Sequence, residues 1–98
     1  MYICFAEYRI MPEQRELYLA ASTKLQQETA LHVHVYEGTD QPCLFVEVWT
    51  TDSKENAEQI KEERASRRSP WFELSQWIVG GPAKLNVWTF KSITTITS

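Results

Sequence analysis

His32 and His34 are one residue apart, and an extended chain would set their imidazoles on one face about 6.8 Å from each other. At that spacing they could share a metal with Glu37 or Glu47, or stand as neutral rings hydrogen-bonded to Glu or Tyr at an interface. They are the chain's 2 histidines, so no third imidazole completes a ligand set, and the expectation is an interface pair and no metal. Arg64 and Arg68, in a densely charged segment, could hold an anionic or phenolate oxygen. Trp71 and Trp77 could border a cavity with Tyr8 beneath them and stack on a planar ligand, although core packing alone would also explain them. Cys4 and Cys43 lack CxxC spacing and read as a small core residue and a loop thiol rather than nucleophiles. No glycine-rich phosphate loop, nucleophile elbow or Walker sequence is present.

These groups must be carried by 98 residues, enough for one modest core and too few for a cofactor domain beside a substrate domain. Residues 1–98 therefore read as a single domain. The 10 basic residues are dispersed among 13 acidic ones for a net charge of -3, which offers phosphate backbones no general attraction. Met1 to Ile10 carries Glu7 and Arg9 within its apolar run and reads as neither a signal peptide nor a membrane span. Unpaired cysteines fit a reducing, cytoplasmic setting.

The alternation of Tyr2 to Ile10 predicts a first strand, and Met11-Pro12 a helix start. Leu17, Ala21 and Leu25, flanked by Tyr18, then mark an amphipathic helix of about 16 residues. Leu31 to Glu37 and Leu44 to Thr50 alternate on either side of a Gly38 to Pro42 turn and predict a hairpin. Thr51-Asp52 with Glu55 resembles a capping box for a charged second helix running to about Ser66. Ser69-Pro70 restarts a helix bearing Trp71, Leu74, Trp77 and Ile78, and Gly80-Gly81-Pro82 stops it. Lys84 to Phe90 is a fourth strand, and the tail 92–98 would fray or add to an edge. The order βαββαβ is that of an α+β, ferredoxin-like sandwich.

Helices on such a sheet cover one face. The aliphatic set Leu31, Val33, Val35, Leu44, Val46, Val48, Leu85 and Val87, with Cys4 and Ala6, suits the space beneath them. The opposite set, carrying Phe5, His34, Phe45, Trp49 and Trp88 beside Ile3, Glu7, His32, Tyr36, Glu47, Asn86 and Phe90, is too aromatic to leave in water. A homodimer through that face is expected. Asp52 to Arg68 holds 10 of the 23 charged residues, and only Ala57, Ile60 and Ala65 appear apolar enough to face the sheet. So thin a cover predicts a cavity between this helix and the sheet, with Arg64 beside it.

Ala6-Glu7-Tyr8-Arg9-Ile10 and Val46-Glu47-Val48-Trp49, set in this element order over nearly the whole chain, resemble the dimeric α/β barrels of the antibiotic-biosynthesis-monooxygenase type, which include haem-degrading enzymes. The haem-degrading pattern has an asparagine where Tyr8 stands, a tryptophan on the second helix and a histidine near its end. Residues 56–60 contain no Trp and residues 64–68 no His, so haem and other cofactors are not expected. The resemblance to cofactor-independent oxygenases implies a site between sheet and helices. There Tyr8 would orient a planar aromatic or quinol-like substrate, Arg64 would stabilise an anion, and Trp71 with Trp77 would exclude water. The other reading is a non-catalytic dimeric module that binds a small ligand or is purely structural.

Overall fold

A computed structural model describes residues 1–93, so the expectation for the tail falls mostly outside the described residues. The elements are β1 (Tyr2–Arg9), α1 (Arg15–Glu28), β2 (His32–Glu37), β3 (Leu44–Thr51), α2 (Lys54–Arg64) and β4 (Asn86–Lys91). Short 3₁₀ helices span Pro12–Gln14, Pro70–Trp77 and Pro82–Lys84. The strands form one antiparallel sheet in the order β2-β3-β1-β4, the ferredoxin-like α+β topology.

Local chemistry accounts for several departures from the expected boundaries. The helix expected from Pro12 begins as a 3₁₀ turn, Pro12–Gln14, closed by the Gln14 N–H donating to Met11 O at 2.9 Å, and α1 follows from Arg15. The cap of α2 is Ser53, whose Oγ accepts from the Asn56 N–H at 3.1 Å, rather than Thr51-Asp52. Pro70–Trp77 is a 3₁₀ helix instead of an α-helix. Its three-residue turn stacks Trp71, Leu74 and Trp77 in one row, with Trp71 and Leu74 buried. The segment is tied to the end of β1 by Met11 N–H to Trp77 O at 2.9 Å and Val79 N–H to Arg9 O at 2.8 Å. Gly80 and Gly81, at φ of 86° and 81°, make the left-handed exit that other residues would resist.

Two face assignments need correction. On α1 the buried residues are Tyr18, Ser22 and Leu25, while Leu17 is 56% exposed. Tyr18 turns the helix because its ring packs 4.2 Å from Phe45 and 5.8 Å from Tyr8.

The second correction inverts β3. Phe45, Glu47 and Trp49 lie buried under the helices, and Leu44, Val46 and Val48 belong to the open face. The register explains it, since Cys4 pairs with Trp49, Ala6 with Glu47 and Tyr8 with Phe45, and paired residues share a face. Small Cys4 and Ala6 leave room for the large side chains beside them. Of the five residues expected on the partner-facing surface, only Phe5, His34 and Trp88 lie on the open face.

Candidate functional site

The centre of the covered face is a carboxylate. Glu47, fully buried, receives four hydrogen bonds. Arg64 Nε and Trp49 Nε1 donate to Oε1 at 2.7 and 2.9 Å, and Arg64 Nη2 and the Tyr8 hydroxyl donate to Oε2 at 2.7 and 2.5 Å. Tyr8 is joined in turn to the Tyr18 hydroxyl at 2.7 Å, so the donor order runs Tyr18, Tyr8, Glu47. Each carboxylate oxygen thus has two donors, the number its lone pairs can take. That closure is what makes a buried charge tolerable in a small core.

Helix periodicity delivers the cation. Ala57, Ile60 and Arg64 are buried on α2 at intervals of three and four, whereas Ala65, expected against the sheet, caps the helix and is exposed. The guanidinium lies between two rings, its Cζ 5.9 Å from the Tyr8 ring centroid and 5.8 Å from that of Trp71.

Burial pushes the Tyr8 and Tyr18 hydroxyls above the usual phenol range, with the Glu47 charge adding to the effect. Burial, reinforced by Glu47, likewise lifts the Cys4 thiol to about 12. Burial works against charge on Arg64, but hydrogen bonds to Glu47 more than offset it and hold the guanidinium above its ordinary value. At neutral pH the cluster therefore holds protonated phenols, a protonated thiol and a closed ion pair. Its hydrogens stay in place, and Glu47 has no lone pair left with which to abstract one.

Beside this cluster is a cavity of about 260 Å³, between the end of α1, the second half of α2 and the start of the 3₁₀ segment. Trp49, Trp71, Ile60 and Leu31 supply apolar walls, Arg64 borders it, and Glu28 and Glu63 are at its rim. Trp49 and Trp71 meet edge to face at 5.0 Å. Trp71 is held by its Nε1 donating to Thr29 Oγ1 at 3.0 Å. Arg64 Nη1 is buried without a hydrogen-bond partner, although its two sister nitrogens are both engaged.

Of the expected site residues, Arg64 and Trp71 meet at this cavity. Tyr8 is below it, enclosed in the carboxylate cluster and 2% exposed, and Trp77 does not line it. Arg64 is committed to Glu47 rather than free for an anion. Sequence reasoning missed Glu47, Tyr18 and Trp49. The usable signal was that an acid inside an apolar alternation requires a cation of matching burial, and Arg64 continues the Ala57, Ile60 spacing. His32 and His34 are exposed on the edge strand β2, and among the described residues no three His, Cys, Asp or Glu side chains cluster as metal ligands would.

No protein-family model matches the sequence, and no curated protein is similar to it at a significant level. Solved structures do match the fold. An antibiotic biosynthesis monooxygenase superposes with a TM-score of 0.72 at 16% identity, over 96% of this chain and 100% of its own. A Bordetella bronchiseptica protein, provisionally described as an antibiotic biosynthesis monooxygenase, gives 0.71 at 13% identity over 95% and 97%. A NIPSNAP domain protein from Burkholderia xenovorans gives 0.62 at 14% over the full length of both. The chain has the ferredoxin-like α+β fold of the antibiotic-biosynthesis-monooxygenase-like structures. At these identities the likeness extends to the fold and stops there.

Proposed function

We propose that the protein binds a small planar aromatic molecule bearing an acceptor oxygen, of the quinol or phenol class, in the cavity between Trp49 and Trp71. One observation carries this reading: a cavity of about 260 Å³ is walled by Trp49 and Trp71, which meet edge to face at 5.0 Å and offer a flat ring a stacking surface. The volume of about 260 Å³ is just below the usual range for small-molecule pockets and suits one or two fused rings. Monooxygenation is the reaction suggested by the names of the solved structures that share the fold, and the resemblance seen in the sequence implies a quinol-like substrate and no cofactor. A second reading, binding without turnover, is favoured by the saturation of Glu47, which leaves the cluster no free base. Calorimetric titration with 1,4-naphthohydroquinone should show saturable binding that is lost in Leu31→Trp, a substitution at a half-exposed wall residue. Oxygen uptake above the buffer rate would favour the oxygenase, and binding without uptake the module. Absence of binding to the unmodified protein would end both.

The same reading includes a homodimer through the open sheet face. Trp88, Phe90 and Tyr36 are 43%, 50% and 55% exposed there, and Phe5 meets Trp88 and Phe90 at 6.1 and 6.0 Å. Aromatic area of this kind is typical of interface centres. A reducing, cytoplasmic compartment accords with Cys4 and Cys43, both buried and unpaired.

A further inference from the structure

We propose that the cavity selects uncharged ligands over anions of the same shape. The inference rests on the ligand-binding reading above and concerns what that ligand must be. An arginine at the wall of a pocket ordinarily suggests a carboxylate or phosphate, but the charge of Arg64 is already spent. Its Nε and Nη2 are both 2.7 Å from Glu47, and neither side chain has any exposure to water. The pair presents no net charge to the cavity.

The other ionisable groups lining the space are Glu28 and Glu63, both exposed and both acidic. Arg68 borders an adjoining hollow with Glu63, Ser66, Ser69 and Pro70, and does not line the cavity itself. An entering anion therefore passes two like charges, sheds its hydration, and finds no free cation, because Arg64 is enclosed and its field is cancelled by Glu47. A neutral ester or phenol meets neither that repulsion nor an anion's dehydration cost. The two tryptophans favour flat rings in either case, so charge rather than shape separates the classes.

The test compares methyl 1-naphthoate with 1-naphthoate by isothermal titration at neutral pH, on the unmodified protein and on the double variant Glu28→Gln, Glu63→Gln. The ester is expected to bind at least about tenfold more tightly than the acid. In the double variant, altered only at exposed positions, that gap should narrow severalfold because the acid gains affinity. Equal affinities, or tighter binding of the acid, would overturn the charge selection and leave ligand binding intact. An unchanged gap in the double variant would overturn it equally, by removing the rim from the cause. Binding of neither probe would overturn the ligand-binding reading and this inference with it.

Discussion

Under the helices, Glu47 and Arg64 are closed off from water and ringed by donors, while across the same sheet Phe5, Trp88 and Phe90 meet ring to ring and stay partly wet. The covered face is the more polar at its centre, and the open face is the more aromatic. Apolar content alone therefore misleads about which side is the core. What decides it is whether every polar group on a face can be matched, and Glu47 finds its four donors only on the helix side. The open face has no such closure to offer.

Arg64→Met tests the covered face most severely. It strands a buried carboxylate and should remove about 3 to 5 kcal/mol, a large part of the stability of a domain this small. Urea unfolding would read the loss. The double variant Glu47→Leu, Arg64→Met should recover much of it, since a hydrophobic pair of similar volume often replaces a buried ion pair without penalty.

Trp88→Glu tests the other side. It should weaken self-association by at least about thirtyfold, corresponding to an interface residue worth roughly 2 kcal/mol, while the isolated chain loses about 1 kcal/mol or less. Sedimentation velocity across a dilution series would separate the two effects. A monomer at micromolar concentration for the unmodified protein would remove the proposed dimer.

Outside both faces, Arg15 and the Cys43 N–H hold the Glu37 carboxyl down to about 2 from its ordinary 4.5. A depressed acid stabilises the fold fully above its unfolded value and loses that contribution as the pH falls through the folded one. Glu37→Gln should therefore melt lower than the unmodified protein above about pH 5, by roughly 1 kcal/mol once solvent screening of this half-exposed pair is allowed for. The two melting curves should converge as the pH approaches 2. Tyr18→Phe should have the mildest effect, about 0.5 to 1.5 kcal/mol in urea unfolding, because Tyr8 keeps its own bond to Glu47.

The element order was legible because each strand alternates and each helix is punctuated by proline, serine or glycine. The strand phases were legible on β1, β2 and β4, where one alternate set is clearly small or aliphatic. On β3 they were not. Leu44, Val46, Val48 and Phe45, Glu47, Trp49 alternate equally well, and only the register against Cys4 and Ala6 selects between them. The cavity was legible from the low apolar content of α2, and Arg64 and Trp71 with it. Its electrostatics were hidden, because the partner of Arg64 lies 17 residues back in the chain and was assigned to the wrong face. Tyr8 was expected to line the cavity, and it is instead enclosed in the core with its hydroxyl donating to Glu47.

The pairing of Glu47 with Arg64 also bears on the order in which a nascent chain can fold. When β1, α1, β2 and β3 have left the ribosome, the sheet centre still contains an acid whose cation has not been made. Closing α1 over it at that stage would enclose an unmatched charge, at a cost of several kcal/mol. By that cost the first half of the chain should settle only once α2 supplies Arg64, and β4 pairs with β1 at the edge of the sheet. In this way one buried ion pair makes the segment that carries Arg64 a condition for the first half of the chain to settle.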